Sequence, residues 1–126
     1  MRKFMLMMLL AVASSNAIAE WIQVGQKEDI TVYADPSTIR GTGNTVKMWK
    51  LVDFQKTPVQ DFTKPFRSFK VETEFDCREG TSRRVAQAFY SENMGEGEAV
   101  LAEDINENWV RHNLNDTLWK MACERK

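Results

Sequence analysis

Cys77 and Cys123 constrain this chain more than any other feature, because they are its only thiols, stand 46 residues apart and have no metal-binding motif around them. Tetrahedral zinc takes about four N or S ligands, and the single histidine, His112, is the only other donor of that kind. The pair therefore does not read as a metal site. In an oxidising compartment an even cysteine pair reads as one disulfide; two buried thiols are the alternative. Closing a 46-residue loop restricts the unfolded chain by roughly 4 kcal/mol in the chain-entropy account. That is a large share of the roughly 5–15 kcal/mol that holds a small domain together.

The compartment follows from the N-terminus. Arg2 and Lys3 precede an apolar run from Phe4 to Val12, and Ala17-Ile18-Ala19 supplies the small-x-small pattern of a cleavage site. These features predict a signal peptide over residues 1–19, cut after Ala19. The run is far shorter than the roughly 20 residues that cross a bilayer as a helix. No cysteine stands at the cut, so the expected product is exported to the periplasm or the outer cell surface and is not lipid-anchored. Residues 20–126 then form one domain of 107 residues.

Removing Arg2 and Lys3 takes the formal charge from −1 to −3, which argues against a nucleic-acid partner, since that needs a basic surface. The charge is unevenly spread. Nine basic residues lie between Lys47 and Arg84, whereas Glu92 to Val110 holds six acids and no base.

Alternation dominates the pattern. Trp21–Val24, Ile30–Ala34 and Thr45–Phe54 read as strands, with Asp35-Pro36-Ser37-Thr38-Ile39 as a single helical turn and Gly41–Asn44 as a reversal. Over Arg67–Cys77, Phe69, Val71, Thr73, Phe75 and Cys77 share one face, while Lys70, Glu72, Glu74 and Asp76 share a charged face expected to be wet. Arg78-Glu79-Gly80 turns the chain into a partner strand, Thr81–Ser91, and Ala99–Ala102 makes a sixth. At the C-terminus the period changes: Leu114, Leu118, Met121 and Ala122 form a helical stripe, with Asn113 or Asn115 as cap. Because Cys77 points to the core face, the simplest assembly lays this helix on the sheet. The expected fold is α+β: an antiparallel meander of about six strands, a C-terminal helix packed on one face, and one strand-to-helix disulfide.

No catalytic set is visible. His112 has no evident nucleophile or orienting acid in sequence. Asp104-x-Asn106-x-Asn108 begins like a calcium loop but places Trp109 and Asn115 where Gly and Glu are needed, leaving only Glu103, Asp104 and Glu107 as a weak alternative to a solvated acidic loop. Gly41-x-Gly43 and Gly95-x-Gly97 are turns rather than phosphate loops. The expectation is no enzyme activity, no cofactor and no metal. One basic group stands out as a candidate contact surface, Lys64, Arg67 and Lys70 with Arg83 and Arg84, which alternation places on opposite faces. It suits sulfated glycans or acidic protein segments, against the blander reading of charges paired with Glu72, Glu74 and Asp76.

Five segments in order carry a family resemblance: Val32-Tyr33-Ala34-Asp35-Pro36-Ser37-Thr38-Ile39-Arg40, Val46-Lys47-Met48-Trp49, Glu74-Phe75-Asp76-Cys77, Asn93-Met94-Gly95-Glu96-Gly97-Glu98 and Leu118-Trp119-Lys120-Met121-Ala122-Cys123. Together they resemble the surface-adhesin protein E family of Gram-negative bacteria. That resemblance implies a six-stranded antiparallel sheet with a C-terminal helix, a strand-to-helix disulfide and room for a homodimer. It also implies adhesion to host extracellular-matrix or serum proteins. The alternative reading is a periplasmic small-ligand or envelope-associated binding domain, with Trp49 and Leu51 lining a cleft on the second face of the sheet.

Overall fold

The computed structural model describes residues 20–56 and 65–124, so the leader, Lys64 and Pro58 lie outside the described residues. Strands β1 (Ile22–Lys27), β2 (Ile30–Thr42), β3 (Thr45–Phe54), β4 (Ser68–Asp76), β5 (Thr81–Tyr90) and β6 (Ala99–Asp104) pair in sequence order, each antiparallel to the last. A two-residue strand β7 (Val110–Arg111) joins the free part of β5, and helix α1 (Thr117–Cys123) closes the chain. The α+β meander is as the alternation predicts; β7 is an addition too short to leave a periodic signal.

Register sorts the side chains onto two faces. Val46 lies opposite Phe75, Met48 opposite Thr73 and Val52 opposite Phe69 on the face that receives the helix. There Ala34, Met48, Phe75, Trp119 and Ala122 form the core, with Val24, Ile39, Leu118 and Met121 packed around it. The Cys77–Cys123 bond crosses from the end of β4 to the end of α1 with Cα atoms 5.5 Å apart. Phenylalanines fill the other end of the same face: Phe66 and Phe69 both meet Phe89, with ring centroids 4.9 and 5.0 Å apart.

Two local expectations are overturned. Asp35–Ile39 is not a helical turn but an irregular stretch inside β2, where the pairing with β3 jumps from Asp35 to Arg40. Asp35 caps as expected, yet its Oδ1 accepts the Ser37 N–H (3.0 Å) and hydroxyl in an Asx turn rather than opening a helix. Thr38 then replaces a missing rung, accepting the Trp49 N–H (3.0 Å) while donating to the Asp35 carbonyl (2.6 Å). The helix cap also differs. Asp116 occupies the N-cap position without a side-chain cap bond, and Asn113 instead receives the Asn115 N–H at 3.0 Å. Leu114 falls before the helix and is exposed.

The second face is not wet. Glu72 and Glu74 are only 5% and 8% exposed. Each reaches a base across the sheet: Arg40 to Glu72 at 3.0 Å and Arg83 to Glu74 at 2.9 Å. A 3-10 turn at Asn93–Gly95 folds over this face. The fully buried Ser68 hydroxyl donates to the Glu92 carbonyl (2.6 Å) and accepts the Gly95 N–H (2.8 Å), while Asp53 takes the Met94 N–H (2.8 Å) and the Asn93 amide (3.1 Å). Met94 adopts φ 60° and Gly95 φ 71°, the left-handed pair that lets the chain double back here.

Candidate functional site

Beside that turn the second face holds a cleft of about 210 Å³ lined by Trp21, Asp35, Thr38, Trp49, Lys70 and Tyr90. Each wall comes from a different strand or its approach. Trp49 projects from β3 because alternation sends it opposite Met48, and Lys70 and Tyr90 project from β4 and β5. Trp21 precedes β1. Its entry into the sheet is held where the Glu20 N–H donates to Asp35 Oδ2 at 3.1 Å. Lys70 Nζ lies 5.0 Å from the Tyr90 ring centroid and 5.8 Å from that of Trp21, within cation–π range. Among the described residues no carboxylate pairs with it. Leu51 is fully buried, and a Cβ on Gly95 would sit 3.5 Å from its Cδ1, so of the pair Trp49 and Leu51 only Trp49 lines the cleft.

The other basic residues named from sequence are dispersed. Arg67 is exposed at the entrance to β4, where its backbone accepts from Phe54 and donates to Tyr90. Arg83 shares the cleft's face but sits on β5 beside the far end of β4, bound to Glu74 and lying 4.4 Å over the Trp109 ring. Arg84 points to the helix face, with Glu107 at 2.7 Å. Hydrogen bonds with that partner raise Arg84 and lower Glu107 from their ordinary values. Burial pushes the Glu74 carboxyl up, but hydrogen bonds from Thr45 and Arg83 and the charges of Arg83 and Lys47 outweigh it and hold it below the usual range. On the helix face burial lowers the Lys50 ammonium, with Asp116 opposing and Arg84 reinforcing that shift. The structure thus brings Lys70 to an aromatic site and gives Arg83 and Arg84 carboxylate partners.

His112 does find an acid and a hydroxyl, which the sequence spacing of 30 residues to Ser82 concealed. Ser82 Oγ lies 2.7 Å from Nδ1 and Asp116 Oδ2 lies 2.8 Å from Nε2. A ring protonated at Nε2 donates to Asp116 and accepts from Ser82. The imidazole also stacks on Trp119 at 5.2 Å. Ser82 is 5% exposed, and a nucleophile must come within roughly 3–3.5 Å of a reacting carbon. The arrangement ties β5 to the start of α1. Glu103 is bound to Gln87 and Glu107 to Arg84, and no three metal-ligating side chains gather among the described residues.

The profile of a protein family described as surface-adhesin protein E matches residues 21–124. The chain belongs to that family. No curated protein matches it. Among solved structures it is similar to protein E from non-typeable Haemophilus influenzae, with a TM-score of 0.61 at 18% identity over 81% of this chain and 71% of that one. A second structure of Haemophilus influenzae protein E gives 0.58 at 18% identity over 81% and 80%. A further crystal form gives 0.57 at 15% identity over 86% and 97%. At such identities these matches establish the shared fold. Among the described residues no helix is long and apolar enough to cross a membrane.

Proposed function

We propose that this protein is a non-enzymatic, exported interaction protein that adheres to host extracellular-matrix or serum proteins through its surface. Membership of the surface-adhesin family over residues 21–124 carries that reading. The absence of enzyme chemistry is supported by the burial of Ser82, whose hydroxyl bonds the histidine. Export with cleavage after Ala19, without a lipid anchor, completes the proposal, and a homodimer is compatible with it. Its test is retention of the cleaved protein on laminin, vitronectin or heparin at low salt, with elution as salt shortens the screening length from about 10 Å at 0.1 M to about 3 Å at 1 M. Flow-through on all three matrices removes the adhesive reading.

The cleft favours a second reading, a small-ligand binding domain of the cell envelope, because three aromatic rings and one lysine converge there. Sites of this kind combine apolar walls with few polar groups that fix orientation.

A further inference from the structure

We propose that the Trp21–Trp49–Tyr90 cleft binds a single sugar ring that carries an acidic group, carboxylate or sulfate, with the anion on Lys70. This inference rests on the cleft being a contact surface. Its volume of about 210 Å³ lies below the roughly 300–1,000 Å³ of drug-sized sites, so it admits one ring and not a folded chain. The C–H faces of a sugar pack on an indole such as Trp49, while flexible acidic side chains would leave those walls unfilled. The charge requirement comes from Lys70, which has aromatic neighbours but no carboxylate partner among the described residues. Asp35 also lines the cleft, and its negative charge is offset in the cleaved chain by the terminal ammonium of Glu20, whose nitrogen lies 3.1 Å from Oδ2. A terminal or branching acidic sugar of a larger glycan fits these terms, which connects the cleft to the adhesive reading.

The test titrates the cleaved protein with N-acetylglucosamine 6-sulfate, with uncharged N-acetylglucosamine and with inorganic sulfate, following tryptophan fluorescence and indole NMR signals. A saturable change at Trp21 and Trp49 is expected for the sulfated sugar only. Lys70→Met keeps the apolar stem and should weaken it roughly tenfold to a hundredfold, the loss of one charged hydrogen bond. Equal binding of the neutral sugar, equal binding of sulfate alone, or an unchanged Lys70→Met variant overturns the inference. Heparin retention is measured on the same variant. If wild type and Lys70→Met are retained alike while no sugar binds, the adhesive reading stands and the cleft assignment falls.

A separate observation supports a second inference: cutting after Ala19 completes the fold. Asp35 is 1% exposed, and its Oδ2 accepts from the backbone nitrogen of Glu20 at 3.1 Å. In the uncut chain that nitrogen is a neutral amide; after cleavage it is the terminal ammonium, and a neutral hydrogen bond becomes an ion pair beside Trp21. We infer that the processed N-terminus locks onto Asp35 and fixes the cleft wall. A chain beginning at Glu20 should melt roughly 4–8 °C above one with a single added alanine, as about 1 kcal/mol does in a domain of this size. In the Asp35→Asn background that difference should vanish. Equal melting of the two chains, or a difference that survives Asp35→Asn, contradicts the lock.

Discussion

The two faces of this sheet are held by different physics. The helix face is apolar and bolted: Phe75, Met48 and Trp119 are buried, and a covalent bond joins Cys77 to Cys123. The opposite face is polar and folded over itself, with Ser68, Asp53, Glu72 and Glu74 satisfied by a turn and by arginines. The cleft lies on the second face beside the polar turn, and the helix face carries the bonded core that serves as its foundation.

Breaking the foundation should have the largest effect. Cys123→Ser, or reduction, removes the constraint on a loop whose ends are 46 residues apart and is expected to cost about 4 kcal/mol, read as a lower urea midpoint with a steeper slope as the unfolded chain expands. Next comes the tie on the other face. Ser68→Ala removes the partner of the Glu92 carbonyl and the Gly95 N–H in a part-buried site and should cost about 1–3 kcal/mol. It should disturb Lys70 without shifting the Trp119 signal. Gly95→Ala sharpens the comparison further, since a Cβ there would come within 2.6 Å of Lys70 Cε at φ 71°. Roughly 1–2 kcal/mol of backbone strain is expected, with the lysine displaced from the cleft. The smallest effect belongs to Glu74. Its carboxyl is lowered in the fold, so the stability it contributes is present above its ordinary value of 4.5 and is lost as pH falls through the lower folded value. Glu74→Gln should flatten that acid limb, and because the amide keeps an acceptor for the Thr45 and Arg83 donors it should cost only about 1 kcal/mol at neutral pH.

Much of the foundation was legible in the sequence. Period-two alternation over Arg67–Cys77 and the helical stripe at Leu118, Met121 and Ala122 identify the faces that meet, and Cys77 falls on the face that receives Cys123. The Asp35–Ile39 error has a local cause: Asp-Pro opens helices and Asx turns alike, and only the Thr38 hydroxyl's bond to the next strand decides between them. The charged face misled because alternation reports which side chains share a surface, not what folds over it. Asn93–Gly95 reaches Asp53 across 40 residues, a contact with no periodic signature. The cleft was half visible. Alternation puts Trp49 on the second face, but Trp21 and Tyr90 join it only through strand register, and the other described members of the basic group that holds Lys70 in sequence lie elsewhere in the fold.

The division of labour between the faces is tested most directly by fluorine NMR of protein labelled with 5-fluorotryptophan, titrated with a heparin fragment. Trp21 and Trp49 line the cleft, and Trp119 projects from the helix into the core. The account predicts saturable shifts of the Trp21 and Trp49 resonances with Trp119 unmoved. Movement of Trp119 while Trp21 and Trp49 stay still would contradict it.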